Sequence, residues 1–84
     1  MEKQWYIYIL CCGDGTLYCG STDDLQRRLE SHRAGKGAKY TRGRCPLEMV
    51  YSEKCDSYSA ALKREYAIKQ LSRAQKLELI ANHR

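Results

Sequence analysis

The chain lacks any apolar run near the ~20 residues needed to cross a bilayer; its longest, Trp5 to Cys12, has the length of a strand. It also lacks a secretory signal pattern, since the apolar stretch begins at once and no small-residue cleavage site follows it. No internal repeat, low-complexity tract or linker is present. No C-x-x-C pair occurs, which leaves a structural zinc site with little support. The five cysteines, at 11, 12, 19, 45 and 55, are odd in number and irregular in spacing. They read as reduced thiols packing as small apolar residues, and a cytoplasmic, non-membrane protein is the expectation.

What is present fits one domain. A length of 84 residues with 43% apolar and 30% charged types is an ordinary globular balance with a modest core. The net charge of +5 is unevenly spread. Arg27, Arg28, Arg33, Lys36, Lys39, Arg42 and Arg44 are opposed within their stretch only by Glu30. Such a run attracts polyanions, although a solvated basic face has the same composition. Interleaved Gly35, Gly37 and Gly43, with Tyr40 and Thr41, add backbone amides, a stacking ring and a hydroxyl, which tips the reading toward phosphate contact.

Hydrophobic patterning gives the elements. Trp5 to Cys12 is apolar on both faces and suits a central strand. Gly13-Asp14-Gly15 is a turn signal, and Thr16 to Ser21 completes a hairpin. A helix begins near Thr22, with Asp23 and Asp24 in its first turn, Leu25, Leu29 and His32 on one face, and Gly35 as its stop. Leu47 to Tyr51 reads as a third strand with Leu47, Met49 and Tyr51 on one side. A second helix runs from about Asp56 or Ser57 to Leu71, and a Ser72/Gln75 capping box opens a third. The order ββαβαα predicts an α+β fold, a small three-stranded antiparallel sheet flanked by helices.

Three features stand out chemically. On the second helix, Tyr58, Ala61, Leu62 and Ile68 share a face with Glu65 in its middle. A carboxylate there needs a cation, either a salt bridge to Arg28 or Lys69 or a bound metal. On the first helix, Arg28 and His32 stand one turn apart. The third feature depends on hairpin register. A two-residue loop would put Tyr8 and Tyr18 on opposite faces. A three-residue Gly13-Asp14-Gly15 loop pairs residue 12 with 16, and Tyr18 then lies across from Leu10 and diagonal to Tyr8 on one face. The second register is the expectation, with two core tyrosines as its plainer meaning.

Tyr6-Ile7-Tyr8 followed by Tyr18-Cys19-Gly20, Leu25-x-x-Arg28-x-x-x-His32 and Glu65-x-x-Ile68-Lys69 together resemble the GIY-YIG endonuclease superfamily. Residues 35–43 and Ser72-Arg73-Ala74-Gln75-Lys76-Leu77 further resemble its short single-domain bacterial branch, the YhbQ-like proteins. The resemblance implies a metal-dependent endonuclease acting on DNA phosphodiester bonds, in DNA repair or recombination. It implies catalytic roles for Tyr8, Tyr18, Arg28, His32 and Glu65, with Glu65 holding a single Mg²⁺ or Mn²⁺. The candidate nucleic-acid contacts are Arg27, Lys36, Lys39, Tyr40, Thr41, Arg42, Arg73 and Lys76. DNA is favoured over RNA as partner, with a protein partner supplying specificity. The first motif begins with Tyr6 where the family has glycine. The region where many members carry an asparagine reads Lys76-Leu77. The alternative is a nucleic-acid-binding module that keeps the fold with little or no catalysis, and a weaker one is a basic adaptor for an acidic protein.

Overall fold

A computed structural model describes residues 3–36 and 46–82. The chain forms β1 (Trp5–Cys11), β2 (Leu17–Thr22), α1 (Leu25–Arg33), β3 (Glu48–Cys55), α2 (Tyr58–Lys69) and α3 (Arg73–Asn82), the expected ββαβαα order. The three strands make one antiparallel sheet in the order β2-β1-β3. Central placement explains why β1 is apolar on both sides: Ile7, Tyr8, Ile9 and Leu10 are all fully buried.

The hairpin takes the bulged register. The Cys12 amide donates to the Thr16 carbonyl at 2.8 Å and the Gly15 amide to the Cys12 carbonyl at 2.9 Å. Gly15 sits at φ 86°, a conformation that costs glycine little. The Asp14 carboxylate accepts from the Thr16 amide and hydroxyl, which fixes the loop. Leu10 therefore opposes Tyr18, and Tyr8 opposes Gly20.

Each sheet face has its own cover. Ile7, Ile9, Cys19, Tyr51 and Cys55 pack against Ala61 and Ile68 of α2 and Ile80 of α3, forming the hydrophobic core. The other face carries Tyr8, which α1 meets through Arg28 and His32. Burying such aliphatic side chains contributes about 1.5–3 kcal/mol each.

Helix ends follow their side chains, with one correction. Asp24 is the N-cap of α1, accepting from the Arg27 amide at 3.0 Å, so Asp23 and Asp24 precede the helix instead of lying in its first turn. Gly35, at φ 77°, ends this helix as expected. Ser57 caps α2. At α3 the Gln75 amide donates to Ser72 Oγ at 3.1 Å and the Ser72 amide to Gln75 Oε1 at 2.8 Å, a complete capping box.

Two expectations fail on tertiary grounds. β3 runs on to Cys55 and is bulged: Tyr51 opposes Ile9 while Met49 opposes Leu10, leaving Val50 as the extra residue. Met49 and Tyr51 therefore belong to opposite sheet faces. On α2, Tyr58 and Leu62 are 51% and 43% exposed, so the inward stripe narrows to Ala61, Glu65 and Ile68. Tyr58 instead leans on Trp5, ring centroids 4.5 Å apart.

Candidate active site

The strand register and α1 together bring four of the five expected catalytic residues into one cluster. The Tyr8 hydroxyl is 2.9 Å from His32 Nε2 and accepts from Arg28 Nε at 3.3 Å. The Tyr8 and Tyr18 rings lie 6.4 Å apart, and each meets the His32 ring edge-on, at 5.8 and 5.4 Å. Arg28 and His32 reach the same sheet face because they stand one helical turn apart.

Gly20 makes room for this cluster. A Cβ there would fall 2.5 Å from the Tyr8 oxygen and 3.2 Å from a Tyr18 ring carbon. Glycine opposite Tyr8 thus lets the phenol ring fold over the neighbouring strand. The sequence carried this signal in Tyr18-Cys19-Gly20, but its steric meaning needs the register.

Burial sets the protonation states. Tyr8 is fully buried, and desolvation pushes its phenol up to about 12 despite the opposing pull of Arg28. His32 is 1% exposed, and burial followed by the nearby Arg28 charge pulls its pKa below the usual histidine range. Burial therefore favours the neutral imidazole. The bond to Tyr8 holds the Arg28 guanidinium above its ordinary value. Among the described residues, nothing accepts from Arg28 Nη1 or Nη2.

Glu65 approaches from the opposite side of the sheet edge. Its Oε2 pairs with Lys69 Nζ at 2.8 Å, resolving the sequence question between Arg28 and Lys69 in favour of lysine. Lys69 Nζ also stands 5.9 Å from the centre of the Tyr18 ring. The Cys19 thiol registers this neighbourhood: burial and then Glu65 raise it to about 11, against the pull of Lys69 and Lys76. The charge of Glu65 also raises Tyr8, though weakly compared with burial.

The donor set for a metal is a single carboxylate. Among the described residues, no group of three or more His, Cys, Asp or Glu side chains can hold an ion. Glu65, 19% exposed in its side chain, fits the limited role Mg²⁺ asks of protein, one or two carboxylates completed by phosphate and water oxygens. Its ammonium partner must then yield to the ion. Lys69 is a site residue that sequence reading singled out only as a salt-bridge candidate.

The expected nucleic-acid contacts divide by location. Arg27 joins Arg28, Ser21 and Ser31 around a cleft of about 300 Å³. Arg73 and Lys76 border a smaller one, about 180 Å³, beside Thr16 and Leu17. Lys36 is exposed just past α1. Lys39, Tyr40, Thr41 and Arg42 lie outside the described residues.

Comparison with known proteins agrees with this fold. A family model described as the GIY-YIG catalytic domain matches residues 4–78. A UPF0213 protein of Natronomonas pharaonis is 54% identical over 98% of this chain and 96% of its own length. One from Oceanobacillus iheyensis is 54% identical over 95% of this chain and 93% of its own. The solution NMR structure of a UPF0213 protein from Bacillus halodurans superposes with a TM-score of 0.60 at 46% identity, covering 93% of this chain and 83% of that one. That of an E. faecalis protein gives 0.65 at 42% identity, covering 99% and 92%. With a three-stranded sheet, a tyrosine pair on adjacent strands and a family match over most of its length, the chain belongs to the GIY-YIG family, a family of nuclease type, and groups there with the UPF0213 proteins.

Proposed function

We propose that this protein is a metal-dependent endonuclease that hydrolyses phosphodiester bonds in DNA at the Tyr8–Arg28–His32 cluster. The observation that carries the reading is the Tyr8 hydroxyl held between Arg28 Nε and His32 Nε2, a phenol with a cation on one side and a neutral base on the other. A phenol whose pKa is about 12 is a poor base by itself. His32 supplies what it lacks: as Tyr8 takes a proton from the attacking water, its own proton passes to Nε2. The hydroxide adds to phosphorus, the P–O bond to the leaving oxygen breaks, and solvent protonates that oxygen.

Arg28 has two tasks in this scheme. Its Nη atoms offer the directional fork that suits non-bridging phosphate oxygens. Its Nε lies against the buried Tyr8 oxygen, so a phosphate that draws the guanidinium outward also lets water approach the phenol. Tyr18, beside both rings and less buried, holds water or phosphate in line. Glu65 would hold Mg²⁺ or Mn²⁺ with phosphate and water oxygens, and the bound ion would stabilise charge on the phosphate and leaving oxygen.

Complete burial of Tyr8 favours a second reading, a nucleic-acid-binding module with little or no catalysis. One experiment separates them. Labelled single-stranded, duplex and branched DNA is incubated with protein and Mg²⁺, Mn²⁺ or chelator, with Glu65→Ala and Tyr8→Phe beside wild type. Cleavage that needs metal and is lost in both variants supports the enzyme. Salt-sensitive binding, with wild type cutting no better than Glu65→Ala, leaves the binding module. DNA repair or recombination, and a protein partner for specificity, are the setting this reading assigns.

A further inference from the structure

We propose that one strand of nucleic acid runs along the β2 edge of the sheet, held by two cationic clefts, one at each end of β2, with Tyr18 between them. The proposal rests on the phosphodiesterase reading above and adds the path of the strand and the side chains that grip it.

Among the described residues β2 is an edge strand, and no other strand covers its outer side. At its C-terminal end, the larger cleft gathers Arg27, Arg28, Ser21 and Ser31. Arg28 is shared: it lines this cleft and also touches Tyr8, which makes the cleft continuous with the centre. Asp23 also borders the cleft, but it already faces two cations, Lys3 at 3.2 Å and Arg27 at 3.1 Å. The cleft therefore keeps a positive balance.

The opposite end is built from different elements. There Thr16 and Leu17 meet Arg73 and Lys76 of α3, and among the described residues no acidic side chain lines the space. Arg73 Nη1 donates to the Gly15 carbonyl at 2.7 Å, which anchors the guanidinium to the hairpin loop. Between the two clefts, Tyr18 presents a ring with the Lys69 ammonium beside it.

Two cationic clefts with hydroxyls, separated by an aromatic ring, match a phosphodiester backbone with a base or sugar between its phosphates. From Thr16 to Thr22 the strand covers about 20 Å at ~3.3 Å per residue. That length corresponds to about six nucleotides at the 3.4 Å rise of a duplex strand, and to fewer if the strand is stretched. Arginine, lysine and hydroxyl contacts to phosphate carry no base identity, so the track tolerates any sequence.

The test measures binding, not cleavage. Labelled DNA oligonucleotides of about two, six and twelve nucleotides are titrated in chelator, and affinity is followed against salt. Wild type should gain affinity from the shortest to the middle length and little beyond it. Arg27→Ala at one end and Lys76→Ala at the other should each remove part of that gain and lower the salt slope by about 0.7 for each phosphate no longer neutralised. Lys76→Ala is preferred to Arg73→Ala because Arg73 also braces the hairpin. If wild type binds but either end can be neutralised without changing slope or length dependence, the two-ended track is wrong, while the cleavage reading stands on its own assay. If wild type binds no oligonucleotide of any length, the track is wrong, and the cleavage reading is still decided by its metal-dependent assay.

Discussion

The Tyr8 hydroxyl and His32 Nε2 are 2.9 Å apart in a fully buried position, joining the central strand to α1 across the sheet face. The bond is both a structural tie and the proton path of the proposed chemistry. His32 is held below the ordinary histidine pKa, so the fold favours its neutral form. As pH falls through the unfolded value of ~6.5, the unfolded chain takes up a proton that the folded chain refuses, and stability declines. Urea midpoints taken between pH 7.5 and pH 5 should therefore decrease, and the decrease should be shallower in His32→Gln. That variant should also lose about 1–3 kcal/mol at neutral pH, because Tyr8 is left without its imidazole partner. An equally steep pH dependence in the variant would assign the acid loss to other groups.

Tyr8→Phe keeps the ring over Gly20 but removes the oxygen between Arg28 and His32. Cleavage should drop by about 10²-fold or more, the scale expected on removing a general base. Circular dichroism should show the sheet intact. Near wild-type cleavage would move the base role elsewhere.

Gly20→Ala tests the steric demand directly. The new methyl would stand 2.5 Å from the Tyr8 oxygen, with Tyr18 also close, so the phenol must shift away from His32. A loss of about 1–3 kcal/mol is expected for overpacking of this kind. Thermal unfolding would read the loss, and a fall in cleavage larger than in a surface variant of equal stability would show that ring position matters. An unchanged melting temperature would mean the two strands separate more easily than this packing implies.

Lys69→Met should change metal binding. In the free protein the ammonium occupies Glu65 Oε2 at 2.8 Å and so competes with any ion. Without it, Mn²⁺ titrated by calorimetry or by paramagnetic broadening of nearby resonances should bind more tightly. Glu65→Gln should abolish the effect. Equal Mn²⁺ affinity in wild type and Lys69→Met would show that the ion does not use this carboxylate.

Ser72→Ala removes half of the capping box that starts α3. The expected cost is about 0.5–2 kcal/mol of stability, with no direct effect on the Tyr8 cluster. Urea unfolding measures the first, and unchanged Tyr8–His32 resonances in NMR spectra would confirm the second.

Local chemistry determined much of this protein in advance. The hairpin register followed from Gly13-Asp14-Gly15, because a glycine in the left-handed conformation closes a bulged loop and thereby places Tyr8 and Tyr18 on one face. The α3 cap and the end of α1 followed likewise from short-range hydrogen bonding and glycine's freedom. Family membership was legible because four motifs stood in order. Tertiary structure alone decided the rest. It selected Lys69 over Arg28 as the partner of Glu65, since helix α2 packs on the sheet face opposite α1. It divided Met49 from Tyr51 through a bulge that periodicity does not encode. It buried Tyr8 completely, and with that burial fixed the pKa of the phenol, because desolvation depends on everything packed around a group and not on its neighbours in sequence.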